Sequence, residues 1–232
     1  MKKKVLPQVA GRRASQLKAA LKRMQWKVCI NSLRILKRSL DLCVVVPALL
    51  LLLPLFGVVA LCIYLHDRGP VIYRQKRVGA RGREFDFPKF RSMRTNSGAV
   101  REELASQNQH GNDAITFKMK NDPRITPFGR LIRRFSIDEL PQLWCVLRGD
   151  MTLVGPRPPL PSEVALYTLR DRERLIVTPG LTCIWQVSGR SEIPFHLQVE
   201  MDIDYIHQRS IWTDLKLLAK TVPAVILGKG SY

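Results

Sequence analysis

The chain has 232 residues, 38 of them Lys or Arg and 19 Asp or Glu, for a formal charge of +19. With 46% hydrophobic residues it can bury a core, which excludes a chain disordered throughout, and the length suits one domain with an appendage. Five cysteines, an odd number with no CxxC pair, argue against a disulfide framework and for reduced thiols, while the charge calls for an anionic partner: nucleic acid, anionic lipid or a phosphorylated substrate.

Twelve of the basic residues and none of the acidic ones fall in residues 1–38, leaving +7 for the remainder. Leu17, Leu21, Met24 and Val28 recur there at helical spacing with Lys and Arg between them. This predicts a basic amphipathic helix on an anionic leaflet over Leu17 to Leu40, with a disordered basic tail as the alternative for residues 1–15. Trp26 suits a lipid interface or contact with a second copy of the chain.

Leu42 to Leu65 is a run of 24 residues without a charge. Fully helical it reaches about 36 Å, enough to cross a hydrocarbon core of about 30 Å. It is too long and too far from the start for a signal peptide. Pro47 and Pro54 lie inside it, and basic residues flank both ends: Lys37 and Arg38 before, Arg68, Arg74, Lys76 and Arg77 after. A re-entrant hairpin broken at Pro54, with arms of roughly 18 Å, keeps both flanks on one side. The alternatives are a kinked single span and a buried helix of a soluble protein.

Beyond it, Val71 to Tyr73 and Glu84 to Phe87 read as short strands around a turn at Gly79 to Gly82. Residues 96–114 read as a polar loop, and Asp122-Pro123 and Pro127 to Gly129 as turns. A helix starts after Ser136, with Leu140, Leu143, Trp144 and Leu147 on one face and Gly149 as its C-cap. Gly155-Pro-Arg-Pro-Pro159 fixes the backbone around Arg157, Pro179-Gly180 is a further turn, and residues 211–227 form a final apolar helix in the core or at a membrane surface.

The nucleotide loops GxxxxGK[ST] and GxGxxG are absent, and His66, His110, His196 and His207 show no metal spacing. Asp138-Glu139 is the pair that carries chemistry. A carboxylate among arginines, with a divalent ion, can attack a phosphoryl centre, and Arg130, Arg133 and Arg134 are near in sequence. The bland alternative is a capping box, Ser136-x-x-Glu139. Lys89 is a phosphate ligand or a snorkelling surface lysine. Arg157 is a phosphate clamp or a solvated turn residue. Asp202 and Asp204 are further ligands or ordinary surface acids.

Taken together, residues 37–61, PKFRSM (88–93), residues 122–158, PGLTCIWQVSGR (179–190) and MDIDYI (201–206) resemble the bacterial sugar transferase family. These are monotopic phosphoglycosyl transferases acting on polyprenyl phosphate. The resemblance covers the chain from about Lys37 onward. It implies transfer of a hexose-1-phosphate from a UDP-sugar to undecaprenyl phosphate, with release of UMP. Asp138 matches the nucleophile that forms a covalent sugar-phosphate intermediate, and Glu139 matches its partner, which helps hold Mg²⁺. Lys89, Arg133 and Arg157 match positions that bind substrate phosphates. Gln186, Arg190 and Asp202 match substrate-proximal positions. The membrane segment is similar to the family's re-entrant helix, broken at Pro54. Leu53 stands where members often have Ser, and Cys183 where they commonly have Gly.

The expected fold is α/β, mostly helical with a small β-hairpin or sheet, and monotopic. Its segments are a basic N-terminal stretch (1–38), a re-entrant hairpin (39–66) and a catalytic domain on the cytoplasmic face of the bacterial inner membrane (67–232). The C-terminal segment is similar to short members that start exopolysaccharide synthesis with galactose or glucose. Nucleic acid is then not a partner. The reading from charge alone, a membrane-tethered basic module that binds nucleic acid or anionic lipid without catalysis, stands as the rival.

Overall fold

The computed structural model describes residues 5–94, 122–189 and 193–227. The chain divides into two units, Met1–Leu40 and Asp41–Tyr232. The polar loop expected over 96–114, Arg190 and the side chain of Trp26 lie outside what is described.

Helix α1 (Val5–Asp67) gives its residues up to Leu40 to the first unit and the rest to the second. It starts at Val5, so most of the stretch for which a disordered tail was the alternative is helical. Among its described side chains, Met24, Ile35 and Leu36 are exposed.

The re-entrant hairpin is not found. Helix α1 runs through both Pro47 and Pro54, and the described residues hold one helix long and apolar enough to cross a membrane, Arg34–His66. A proline removes one amide donor and costs about 3 kcal/mol, which bends a helix but does not by itself turn the chain back. Leucines surround Pro54 and favour helix. Docking offsets the rest: along the second unit, Asp41, Val45, Val59 and Ile63 are buried on one stripe. Leu49, Leu52 and Phe56 pack between them. The opposite face stays apolar and open, with Leu51 at 82% and Val58 at 60% exposure.

Strands β1 (Ile72–Val78) and β2 (Glu84–Phe90) form an antiparallel hairpin, longer than the sequence signalled, around a 3₁₀ turn at Ala80–Gly82. Phe85 and Phe87 alternate inward on β2, and period two puts Lys89 on that same face. The register pairs Arg77 with Phe85 and Gln75 with Phe87, so Arg77 shares it too.

Helix α2 (Pro127–Arg134) occupies the segment read as a turn at Pro127 to Gly129. Thr126 caps it, accepting from the Gly129 amide at 2.9 Å, and Pro127 takes the first-turn place that needs no amide donor. A 3₁₀ helix (Ile137–Gln142) then leads into α3 (Leu143–Arg148), which ends on left-handed Gly149. Strand β3 (Thr152–Val154) pairs in parallel with β4 (Gly180–Thr182), where the sequence showed only a Pro-Gly turn. Between them lie α4 (Pro161–Ala165) and a 3₁₀ helix (Asp171–Ile176). Helices α5 (Ile184–Ser188), α6 (Phe195–Gln208) and α7 (Ile211–Leu227) follow. On α7, Leu217 is buried while Trp212 is 74% exposed, so this helix serves the core and presents an aromatic outward.

Candidate active site

The 3₁₀ helix Ile137–Gln142 packs on β2, and this brings Glu139 to Lys89, fifty residues away in sequence. The Lys89 Nζ donates to Glu139 Oε1 at 3.1 Å, and the Arg157 Nη2 donates to the same oxygen at 2.7 Å. The capping box does not form. Ser136 is left-handed (φ 55°), makes no side-chain cap, and Glu139 turns its carboxylate to the two cations. A non-glycine residue held there costs on the order of 1 kcal/mol, and such positions concentrate at functional sites.

Burial pushes Glu139 up, but Arg157 and Lys89 outweigh it and hold the carboxyl well below the usual range. Asp138 is 7% exposed and behaves in the opposite way. Burial raises its carboxyl to about 6, with the Glu139 charge adding to the rise and Lys89, Arg133 and Arg157 opposing it. Two adjacent carboxylates are thus driven apart in acidity by their surroundings. Arg133, on the last turn of α2, is part of that surrounding field.

Arg77 belongs to the cluster, although sequence reading took it only as a charge flanking the apolar run. Its guanidinium and the Lys89 ammonium lie 5.3 and 5.4 Å from the centre of the Phe87 ring. Burial, then the neighbouring Arg157, lower the Arg77 pKa to about 10. The signal that finds it is strand pairing, which sets it opposite Phe85 on the Lys89 face. Two cations therefore bond one firmly ionised carboxylate and a third lies by the Phe87 ring, leaving positive charge for an anionic ligand.

The turn that carries Arg157 is braced residue by residue. Asp41 accepts from the Thr152 hydroxyl at 2.6 Å and from the Leu153 amide at 3.1 Å. The Tyr205 hydroxyl donates to Val154 O, and the Gly155 amide to Thr182 O. Gly180 N donates to Pro156 O, Arg77 Nη1 to Pro158 O, and Val78 N to Pro159 O. Gly180 is required by this closeness: a Cβ there would overlap the Gly155 amide nitrogen. Gly180→Ala is expected to destabilise the fold by about 1–3 kcal/mol and to lower turnover, as thermal melting and kinetics on the folded protein would measure.

The remaining candidates lie to one side. Gln186 accepts from the buried Cys183 thiol at 3.1 Å, and Arg157 is among the charges acting on that thiol. Asp202 is 1% exposed and forms an ion pair with Arg174, whose guanidinium also donates to the Tyr167 hydroxyl. Burial raises the Asp202 carboxyl to about 6 against the pull of Arg174. The structure thus joins Glu139, Lys89 and Arg157 by hydrogen bonds and sets Asp138 next to Glu139 in a field to which Arg133 contributes. It bonds Gln186 to Cys183 and ties Asp202 into a second buried pair.

No three His, Cys, Asp or Glu side chains converge as a metal site among the described residues. Mg²⁺ usually takes one or two carboxylates and completes its shell with substrate phosphates and water. Among the described residues Glu139 gives its two cations Oε1 alone, which leaves its other carboxylate oxygen to fit such an ion.

Paired carboxylates of split acidity lie here beside surplus cations. Residues 32–228 match the family described as bacterial sugar transferase, and the chain belongs to that family of enzymes. It is 46% identical over 166 residues to the galactosyl transferase CpsE of Streptococcus agalactiae, covering 71% of this chain but 36% of that protein. It is 40% identical to the exopolysaccharide production protein ExoY of Rhizobium meliloti over 84% of this chain and 88% of the relative. Against the undecaprenyl-phosphate galactose phosphotransferase of Salmonella typhimurium it is 41% identical over 91% of this chain, spanning 45% of the relative.

Proposed function

We propose that this enzyme transfers a hexose-1-phosphate from a UDP-sugar to undecaprenyl phosphate, releasing UMP. The observation that carries the proposal is the split pair, Asp138 buried with a raised pKa beside Glu139 held ionised by Arg157 and Lys89. The names of the relatives support galactose as the sugar and exopolysaccharide as the product's destination, with glucose, the sugar named for a 40% identical relative from Komagataeibacter xylinus, as the other candidate.

In the first step an Asp138 oxygen attacks the β-phosphorus of the UDP-sugar. The bond to the bridging oxygen breaks, and UMP departs with that oxygen and its electron pair. In the second step an oxygen of polyprenyl phosphate attacks the same phosphorus, the acyl-phosphate bond breaks, and the Asp138 carboxylate is restored. Arg157, Lys89 and Arg77 neutralise charge on the phosphates, and Glu139 orients Arg157 and Lys89 through one shared oxygen. Arg133 adds to the positive field around Asp138. Glu139 would hold Mg²⁺, which when bound supplies further neutralisation of the diphosphate.

The acceptor is a lipid, and the open apolar face of α1, with Leu51 and Val58, is where we place the membrane. Basic residues at both ends of the apolar run favour the cytoplasmic face.

The test is UMP release from a panel of UDP-sugars by purified protein with Mg²⁺, with and without undecaprenyl phosphate. One equivalent of UMP per enzyme is expected without acceptor, and continued turnover with it for one sugar. A folded protein that binds membranes yet releases no UMP from any UDP-sugar would favour the non-catalytic basic module instead.

A further inference from the structure

We propose that Asp41 is a positioning residue that sets the register between the apolar helix α1 and the turn carrying Arg157. The inference rests on the reaction proposed above for its kinetic readout, but not for its structural one. Asp41 is 5% exposed and is the last charged residue before the apolar run. Both its carboxylate oxygens are used, one by the Thr152 hydroxyl and one by the Leu153 amide. These are consecutive residues of β3, and Arg157 follows three residues after that strand ends.

A buried carboxylate is a costly way to dock a helix. Val45, Val59 and Ile63 on the same stripe show that apolar contact serves there. What hydrogen bonds add is direction: two bonds to neighbouring residues of one strand fix the helix in both rotation and translation. Among the braces named above, the Asp41 pair is the one that comes from the helix with the open apolar face. Any lipid acceptor presents its phosphate at a depth set by the bilayer, and α1 is the element that meets that bilayer. Asp41 therefore carries the position of α1 through Thr152 and Leu153 to Arg157, and from there to Glu139.

The experiment compares Asp41→Ala, Asp41→Asn and Thr152→Val in the full chain with the parent protein, in detergent or nanodiscs. Asn can still accept from the Leu153 amide and donate to the Thr152 oxygen, whereas Ala can do neither. For Asp41→Ala we expect kcat to fall at least tenfold with the KM for the UDP-sugar within threefold. Asp41→Asn should stay within threefold of the parent in both, and Thr152→Val should fall between. Hydrogen exchange followed by mass spectrometry should rise at least tenfold over residues 152–158 in the Ala variant and stay unchanged in the β1–β2 hairpin.

A folded Asp41→Ala protein with parental kinetics, or with parental exchange over 152–158, would overturn the proposal. So would a rise in exchange spread equally over both hairpin and turn, which marks a residue that only holds the fold. If the parent protein itself releases no UMP, the reaction assignment fails, and the exchange pattern alone then decides for or against Asp41.

Discussion

Asp138→Asn is expected to abolish turnover, by at least about 10³-fold, while making the protein more stable at neutral pH. The amide is nearly isosteric with the carboxyl but has no charged oxygen to attack phosphorus. The stability gain follows from burial. Asp138 has a folded pKa of about 6 against an ordinary value of 3.8. Below pH 3.8 the group is protonated in both states and costs nothing. As pH rises through 6 the folded protein must hold a buried charge, so stability is lost over that window. At pH 7 the penalty is on the order of 2–3 kcal/mol, and Asn removes it. Thermal melting should rise by several degrees at pH 7 and converge with the parent near pH 4. The same pKa predicts that kcat/KM of the parent falls about tenfold per unit below pH 6, since that parameter reports the free enzyme. An Asn variant that keeps releasing UMP would remove Asp138 from the chemistry.

What the sequence made legible was local. Two short strand segments around the Gly79 to Gly82 turn announced the β1–β2 hairpin, and Gly149 marked the end of α3, because both signals sit within a few residues of what they specify. Pairings across long stretches were not legible. Strands β3 and β4 have three residues each and no alternation, so their parallel ladder, which holds the Arg157 turn, left no periodic trace. Pro127 to Gly129 looked like a turn until Thr126 supplied the cap that starts a helix there. The two prolines of α1 pointed to a break because a sequence does not show the docked stripe that keeps the segment helical. At the site, motif resemblance singled out Asp138, Glu139, Lys89 and Arg157. It could not say that Glu139 gives one oxygen to two cations, nor that Arg77 joins them across the Phe87 ring. Ser136-x-x-Glu139 satisfies the capping pattern in letters, yet the left-handed Ser136 forbids it in space.

Glu139→Gln tests the same pair from its other side, and the expected sign is reversed. Glu139 lies below the usual carboxylate range because Arg157 and Lys89 stabilise its charge more than burial opposes it. A depressed carboxylate contributes stability above its ordinary pKa and loses it only in strong acid. Gln therefore forfeits that contribution across the whole neutral range. It also leaves Lys89, Arg157 and Arg77 crowded together without their shared anion. Lys89, already pushed down by burial, would shed its proton more readily, and the Arg157 turn would be driven outward. Breaking a largely buried ion pair from one side costs about 3–5 kcal/mol, and turnover should drop by about 10² or more as the phosphate-binding cations lose their alignment. Melting curves at pH 7 then form a sharp pair of outcomes. Two adjacent, nearly isosteric acid-to-amide changes should move stability in opposite directions, Asp138→Asn upward and Glu139→Gln downward. Shifts of the same sign would mean that the two carboxylates do not occupy the contrasting environments on which the division of labour between nucleophile and cation anchor depends.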